Sequence, residues 1–277
     1  MPELPEVETI VRALSPVMSG KTLKQIRVTR RDILHGDPAP LESVLESRVV
    51  HGVVRSAKRI RIEFEGDITL VVHLGMSGRL TLNSIGDPVE PHTHFRACIV
   101  PSQRPGYELR FKDPRRFGGL WLLTGNDEYV GRRLGTVGPD PLELRAKAFR
   151  TIVQRKRPIK SLLLDQSMVG GIGNIYCDES LFEAGIHPLT PADQLNTDQA
   201  DGLLRALKKV LRKAISHKGT TLIDYRTADG NEGGYRKHHN VYRRDGLPCK
   251  SCREPVQRIV LGGRGTFYCP QCQILPL

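Results

Sequence analysis

The first residues of the chain contain a group that could act as a nucleophile. The sequence opens MPELPEVETI, and the small residue at position 2 predicts that Met1 is removed, which makes the ring nitrogen of Pro2 the terminal amine. The pKa of an α-amine is about 7.8, against about 10.4 for a lysine side chain, so far more of it is free base at neutral pH. Such an amine can attack an aldehyde-like carbon, and a secondary amine then forms a cationic iminium. Glu3 lies beside it and could move protons, although position alone favours an inert chain start before a helix.

Four cysteines near the end of the chain have the spacing of metal ligands. They form two CxxC pairs with 16 residues between the pairs: Cys249, Cys252, Cys269 and Cys272. Each pair supplies two thiolates from a tight turn, and the residues between the pairs suit a β-hairpin. The pattern predicts one structural zinc ion, with a redox or disulfide pair as the alternative. Cys98 and Cys177 stand alone in apolar surroundings, which predicts buried packing residues.

A glycine-rich turn predicts an anion site. In DQSMVGGIGNIYCDESLFEAGIHP (165–188), three glycines permit a tight turn, and Asn174 then begins an apolar helix as its N-cap. Backbone amides at a helix N-terminus bind phosphate, and Lys156 and Lys160 upstream favour a nucleic acid as its source. An ordinary corner between two helices is the alternative.

A second turn has the composition of a DNA wedge. FKDPRRFGG (111–119) places Arg115, Arg116 and Phe117 between two predicted strands. The ring can separate a base step while an arginine donates to base edges, so the triplet suits insertion into a duplex. The alternative is a core phenylalanine flanked by surface arginines. Met76, on the turn HLGMSG, is a second candidate wedge, although a lone methionine is more often a core residue.

The elements that must position these groups differ along the chain. Residues 3–15 have apolar side chains at helical spacing, whereas residues 21–123 contain segments of period two, such as RIRIEFEG, separated by turn signals. These segments predict an antiparallel sandwich or flattened barrel. A Gly- and Pro-rich stretch at 124–144 predicts an interdomain linker. Beyond it the periodicity predicts helices at 145–155, 160–167, 174–184 and 197–217.

Composition favours a polyanionic partner. The 277 residues are 39% hydrophobic and 26% charged, which suffices for a core in one large domain or two ordinary ones. The formal net charge of +12 predicts binding to nucleic acid, with a merely soluble basic protein as the alternative. No apolar run approaches the ~18 residues that a membrane span needs. The acidic, proline-broken N-terminus argues against a signal peptide, so we expect a cytoplasmic protein without membrane contact.

Together these motifs resemble those of the bacterial formamidopyrimidine-DNA glycosylases of the Fpg/endonuclease VIII family. The agreement spans essentially the whole chain and runs in order through MPELPEVET, SAKRIRI, HLGMSGRL, DPRRFGG, VGGIGNIYCDESLFEAGIHP and GRGTFYCPQCQ. The resemblance implies an α+β fold with an N-terminal antiparallel β-sandwich domain and a helical helix-two-turns-helix domain that ends in a four-cysteine zinc-finger β-hairpin. We expect the catalytic sandwich at 1–130, the linker at 131–144, the helical DNA-binding domain at 145–240 and the zinc finger at 241–277.

The resemblance also implies an activity. The protein would be a monomeric, nucleoid-associated DNA glycosylase and AP lyase of base excision repair, acting on double-stranded DNA with oxidised bases or abasic sites. It would remove 8-oxoguanine and formamidopyrimidines through a Schiff base on Pro2 and cut the strand by β,δ-elimination. Glu3 would be the adjacent proton donor. Lys58 would bind phosphate and serve β-elimination, and Arg264 would bind phosphate and serve δ-elimination.

Further roles come from the same resemblance. Asn174 would hold the phosphate that flanks the lesion, while three side chains would fill the void left by the extruded base: Met76, Arg115 and Phe117. The resemblance implies four further DNA-contacting positions: His73, His92, Lys156 and Lys160. Residues 226–240, RTADGNEGGYRKHHN, lie where the family has the loop that covers the extruded base, but they are more basic than is usual there. The preference among oxidised bases therefore stays open.

Two alternative functions remain at this stage. An endonuclease VIII-like enzyme shares the scaffold and the proline chemistry but prefers oxidised pyrimidines. The sequence PELPE, rather than PEGPE, and the three void-filling residues favour the purine-directed branch. A non-catalytic DNA-damage-binding protein would predict loss of Pro2, Glu3 or Lys58, and all three are present.

Overall fold

The protein consists of two compact units, each built from two separate stretches of chain. The structure, a computed structural model, describes residues 1–36, 40–101, 106–125 and 135–275. Met1–Gly135 and His217–Gly234 form the first unit, and Thr136–Ser216 with Tyr235–Leu277 forms the second. The first unit thus includes residues 217–234, which lie within the predicted helical domain of 145–240. Residues 131–134 of the predicted linker lie outside the described residues.

The first unit is a β-sandwich. One sheet has the strand order β1-β7-β8-β6 and the other the order β2-β9-β5-β4-β3, with all pairings antiparallel except β2 with β9. The strands are β1 (Thr22–Val28), β2 (Leu34–His35), β3 (Val50–Ser56), β4 (Arg59–Phe64), β5 (Ile68–His73), β6 (Arg79–Ser84), β7 (Thr93–Val100), β8 (Tyr107–Lys112) and β9 (Gly119–Thr124).

The sandwich forms because period-two segments can bury one face. In β4, Ile60, Ile62 and Phe64 are buried, whereas the residues between them are half-buried, as the alternation predicts. Helix α1 (Leu4–Met18) contributes its apolar stripe to the same core. It ends three residues later than predicted because Met18 continues the stripe and is completely buried. A short helix α2 (Leu41–Leu45) lies between β2 and β3.

Residues 217–234 return to the sandwich and complete it. Tyr225 and Ala228 are buried within its core. The backbone amide of Leu82, on the edge strand β6, donates to the carbonyl of Ala228 at 2.8 Å. Because an edge strand presents unpaired backbone groups, this contact covers part of an otherwise open sheet edge.

The second unit is helical and ends in a β-hairpin. All four predicted helices are present: α3 (Ala146–Val153), α4 (Ile159–Leu164), α5 (Asn174–Glu183) and α6 (Thr197–Ser216). Helix α4 ends three residues before its predicted end because the Asp165 carboxylate accepts the Ser167 amide and hydroxyl, which turns the chain. The apolar stripe of α6 is buried, as is Cys177. Strands β10 (Gln257–Leu261) and β11 (Arg264–Tyr268) form the hairpin. Among the described helices, none has the length and apolar character that crossing a membrane requires.

Candidate active site and DNA-binding groups

The predicted nucleophile lies at the start of α1. Pro2 and Glu3 are buried and Met1 is exposed. With Met1 in place, the ring nitrogen of Pro2 is part of an amide, so it becomes an amine only once Met1 is removed. Glu3 caps α1 in a reciprocal arrangement: its side chain accepts from the Glu6 amide, and its own amide donates to Glu6 Oε2 at 2.8 Å.

Glu6 connects this N-terminus to the returning segment 217–234. Its side chain is 1% exposed, and its second oxygen, Oε1, accepts the backbone amide of Thr220 at 2.7 Å. Gly219 has φ +77°, and a Cβ there would lie 2.7 Å from Glu6 Oε1, so any larger residue strains the backbone and crowds the carboxylate. Glu6 was not predicted from the sequence. The signal available was its position three residues after Glu3, which is the spacing of a capping box.

Lys58 and His73 lie in one electropositive part of the sandwich. Lys58 is buried at the turn between β3 and β4, and Arg59 pairs with His73 in the register of β4 and β5. Burial, with the charges of Arg59 and Lys58, lowers the pKa of His73 to about 4. His73 is therefore neutral at physiological pH and can offer a phosphate a hydrogen bond but no charge. Its ring meets Trp121 edge-on, with centroids 6.5 Å apart.

The candidate wedge residues project from two turns. Met76 is 42% exposed and Phe117 is 52% exposed, so the structure excludes the alternative that either is a core residue. The guanidinium of Arg115 lies over the Phe117 ring, 4.5 Å from its centroid. Arg116 is instead paired with Asp32 at 2.6 Å.

Asp113 holds these two turns together. Its carboxylate is completely buried and accepts from the Ser77 hydroxyl at 2.6 Å, the Gly118 amide at 2.8 Å and the Arg115 amide at 3.3 Å. Its own amide donates to the carbonyl of His92 at 3.0 Å, so exposed His92 adjoins the same turn. Neither Asp113 nor Ser77 was predicted from the sequence, although Asp113 stands in FKDPRRFGG and Ser77 in HLGMSG.

Glycines permit the close approach of the two turns. Gly75 has φ +60°, and a Cβ there would lie 2.4 Å from the backbone of Phe117 and Gly118. A Cβ on Gly118 would lie 2.4 Å from the carbonyl oxygen of His73. Backbone atoms cannot move aside as a flexible side chain can, so any larger residue at either position separates the turns.

In the second unit, Asn174 lies at the predicted phosphate-binding turn but is not the N-cap. Gly173 is the N-cap of α5, and Asn174 is its first helical residue. The Asn174 side chain instead donates from Nδ2 to the carbonyl of Gly265 at 2.8 Å, next to Arg264 in the hairpin. The other amide atom, Oδ1, is buried without a hydrogen-bond partner among the described residues. Gln166 orders the turn itself, since its side chain bonds to the backbone of Gly171 and Ile172 at 3.0 and 2.8 Å.

The three basic residues predicted to contact DNA in this unit are placed differently. Arg264, at the start of β11, and Lys156, before α4, are exposed. Lys160 is completely buried, and its ammonium is 2.6 Å from the Asp178 carboxylate. This corrects the predicted DNA contact of Lys160, because its charge is neutralised in the interior. The sequence showed only a lysine near a basic run and gave no indication of its buried partner.

The predicted base-covering loop is divided between the units. Residues 226–234 belong to the first, and Tyr235 begins a 3-10 helix of the second, Tyr235–His238. Tyr235 and His239 are buried against each other, with ring centroids 5.8 Å apart, whereas Arg236 and Lys237 are exposed. Burial lowers the pKa of His239 to about 4, so it too is neutral at physiological pH.

The four terminal cysteines form a zinc site. The sulfur atoms of Cys249, Cys252, Cys269 and Cys272 all lie within 4.8 Å of one another. Two of the separations are 3.4 Å and 3.9 Å, close to the ~3.8 Å expected between sulfurs in a tetrahedron with Zn–S bonds of ~2.3 Å. Four thiolates complete the coordination shell, so the ion is structural and the prediction of one zinc ion is confirmed.

Comparison with known proteins covers nearly the entire chain. The family described as "Formamidopyrimidine-DNA glycosylase N-terminal domain" matches residues 1–120, its "H2TH domain" matches 137–225, and the "Zinc finger found in FPG and IleRS" matches 246–274. Formamidopyrimidine-DNA glycosylase of Thermus thermophilus is 43% identical, covering 99% of this chain and 98% of that protein. The corresponding enzyme of Gluconobacter oxydans is 40% identical and covers 99% and 100%.

Solved structures agree with this assignment. The crystal structure of MutM (FPG) from Thermus thermophilus has a TM-score of 0.84 at 40% identity, covering both chains completely. A Lactococcus lactis FPG mutant in complex with Fapy-dG containing DNA has a TM-score of 0.88 at 31% identity, over 99% of this chain and 100% of that one. These matches confirm the resemblance and the fold inferred from the sequence. The chain belongs to the formamidopyrimidine-DNA glycosylase family.

Proposed function

We propose that the protein excises oxidised purines, 8-oxoguanine and formamidopyrimidines, from duplex DNA through a Schiff base on Pro2 and then cuts the strand by β,δ-elimination. The observation that carries the proposal is the placement of Pro2 and Glu3, buried together at the capped start of α1. Related proteins support the substrate class, since the solved complexes include one with Fapy-dG containing DNA and one of MutM with carbocyclic 8-oxo-G containing DNA.

The proposed chemistry begins with the Pro2 amine. The nitrogen displaces the base at C1′, and the base leaves with the electrons of the glycosidic bond and takes up a proton while the attacking nitrogen loses its own. The C1′–O4′ bond then breaks as the nitrogen lone pair forms the second C1′–N bond, and O4′ takes a proton, which leaves an iminium between protein and opened sugar. Glu3 supplies protons beside the reacting atoms. The iminium acidifies the C2′ proton, whose loss expels the 3′ phosphate with Lys58 assisting. A second elimination expels the 5′ phosphate, with Arg264 bound to the phosphate.

Excision requires that the base leave the stack. Extrusion costs roughly a few kcal/mol of lost stacking and pairing, so inserted side chains and phosphate contacts must offset it. Met76, Arg115 and Phe117 are the proposed inserted side chains, and their exposure supports this role. Arg115, already ordered over the Phe117 ring, would face the orphaned cytosine.

The remaining DNA contacts hold the backbone. The proposed phosphate ligands are His73, His92, Lys156, Asn174 and Arg264. Neutral His73 would contribute a hydrogen bond, whereas Lys156 and Arg264 would contribute charge and the salt dependence that accompanies it. We further propose that the protein works as a monomer in the cytoplasm on nucleoid DNA, in keeping with its bacterial relatives.

Borohydride trapping tests this function. Reduction in the presence of an 8-oxoguanine:cytosine duplex should yield a covalent protein–DNA adduct, and the matched control carries one additional residue before Pro2. That control should bind the duplex but form no adduct and cut no strand. Absence of an adduct with the mature protein would refute the Schiff-base proposal. Faster excision of thymine glycol than of 8-oxoguanine would instead assign the protein to the pyrimidine-directed branch.

A further inference from the structure

The interior of the second unit contains an ion pair that the proposed chemistry does not use. Lys160 on α4 and Asp178 on α5 are both completely buried, and their charged atoms are 2.6 Å apart. Removing two charges from water is costly, and well-packed apolar side chains of the same volume often stabilise a core as well or better. Stability alone therefore does not explain the pair.

Each partner of the pair makes a second bond to the same strand. Lys160 Nζ donates to the carbonyl of Gly265 at 3.3 Å, and Asp178 Oδ2 accepts the backbone amide of Phe267 at 3.0 Å. Both backbone groups belong to β11, where they lie on either side of Thr266. The pair thus fixes this strand against α4 and α5 at two points.

The Gly265 carbonyl also receives the side chain of Asn174. Asn174 Nδ2 and Lys160 Nζ share this one oxygen, so the lysine contributes to the orientation of the asparagine amide. Arg264 immediately precedes the shared carbonyl, and its side chain is exposed. One buried network therefore contacts the backbone beside Arg264 and the amide of Asn174.

We propose that Lys160 and Asp178 are positioning residues that hold β11 so that Arg264 and Asn174 meet the DNA phosphates in the arrangement that strand cleavage requires. The inference rests on the proposed function, which assigns Arg264 and Asn174 to the phosphates. It differs from a direct DNA contact by Lys160 because it gives Asp178 an equal share in the role. The two groups act as a unit, so loss of either disturbs the same strand.

The test uses the zinc-loaded full-length protein and a duplex with an abasic site, which removes base excision from the measurement. The variants are Lys160→Met, Asp178→Asn and the double variant Lys160→Met/Asp178→Leu, which leaves no buried charge and guards against loss of folding. Lys147→Met is the matched control, an exposed lysine on the neighbouring helix α3 that has no part in the proposed DNA contacts. The readouts are the ratio of δ- to β-elimination products, borohydride trapping on Pro2 and zinc content.

We expect every Lys160 and Asp178 variant to lower the δ-to-β product ratio by about tenfold or more while zinc is retained and trapping persists. Lys147→Met should leave that ratio unchanged. In an Arg264→Gln background, adding Asp178→Asn should change the ratio no further, since the aspartate acts through the arginine.

Three outcomes would overturn the inference. The first is a wild-type product ratio in the zinc-loaded double variant. The second is a further fall in the product ratio when Asp178→Asn is added to Arg264→Gln, as expected if the two residues act independently. The third is a lower ratio in Lys160→Met alone, which would indicate a direct DNA contact by the lysine. Failure of the wild-type protein to form an adduct would instead refute the proposed function, and the inference with it.

Discussion

Replacement of Glu6 by glutamine tests whether the N-terminus is held by one buried carboxylate. Its two oxygens accept the backbone amides of Glu3 and Thr220 at 2.8 and 2.7 Å, and water cannot replace them because the side chain is 1% exposed. In Glu6→Gln one oxygen becomes an NH₂ group that faces a donor. One buried amide then lacks an acceptor, which costs about 1–3 kcal/mol, and the other hydrogen bond no longer has a charged acceptor. We therefore expect the free energy of unfolding to fall by about 2–4 kcal/mol in total.

Urea denaturation measures this loss directly. Trp121 is the one tryptophan of the chain and lies in β9 of the same unit, so its fluorescence reports unfolding of the sandwich. The matched control is Glu63→Gln, which removes an exposed ion pair with Arg61 and should cost about 0–1 kcal/mol. Borohydride trapping should also fall in Glu6→Gln, because the Glu3 amide that the carboxylate holds is adjacent to Pro2.

The returning segment offers an independent approach to the same contact. Gly219→Ala introduces a Cβ 2.7 Å from Glu6 Oε1 at φ +77°, so it should weaken the carboxylate's bond to Thr220 and destabilise the sandwich. Because both changes disturb one contact, the double variant should lose less stability than the two single losses combined. Equal stability of Glu6→Gln and the Glu63→Gln control, together with full trapping, would refute the reasoning.

Three further predictions concern other parts of the molecule. Ser77→Ala removes one of the three hydrogen-bond donors to buried Asp113, so it should lower the free energy of unfolding by about 1–3 kcal/mol and slow lesion excision. An excision rate equal to that of the wild type would show that the two wedge turns do not need this bond. Cys269→Ser should release zinc, measured by metal analysis, and weaken DNA binding; unchanged affinity would show that the finger is dispensable. His73 and His239 stay neutral in the folded protein, whereas in the unfolded chain a histidine has a pKa near 6.5. Between pH 7 and pH 5 the unfolded chain therefore gains protons that the folded chain does not. Each of the two histidines then lowers the free energy of unfolding by up to about 2 kcal/mol. Glutamine at both positions should flatten the loss of stability over that range, and an unaltered pH profile would contradict the assignment.

The helices, the strands and the zinc site could be predicted from short stretches of the sequence. The apolar stripe of α6 and the alternation of apolar residues in β4 show which face of each element is buried. This follows because the spacing of apolar residues places them on one face, whichever element packs against it. The two CxxC pairs predicted the zinc site for a similar reason, since each pair is a complete local unit. Helix ends were less predictable, as the late end of α1 and the early end of α4 illustrate.

Long-range contacts escaped prediction. Glu6 and Thr220 are 214 positions apart, and Lys160 meets both Asp178 and a strand 105 positions away. Nothing in the local sequence distinguishes buried Lys160 from exposed Lys156. The roles proposed for Pro2 and Arg264 follow from sequence motifs, whereas the groups that orient such residues are identified only by the folded chain.

The return of residues 217–234 to the sandwich has a consequence for synthesis. Tyr225 and Ala228 fill core positions of a unit whose other residues end at Gly135, so a ribosome that has made only the first 135 residues has produced a sandwich with an open core. The missing segment is about 100 residues further on, which corresponds to a delay of about 5–20 s at the usual rate of 5–20 residues per second. During this interval the first stretch of the helical unit, Thr136–Ser216, is made, so the core of the sandwich cannot be completed before the four helices of its neighbour have been synthesised. A gene fragment that ends at residue 120, where the first family match ends, would encode a sandwich that lacks these core residues.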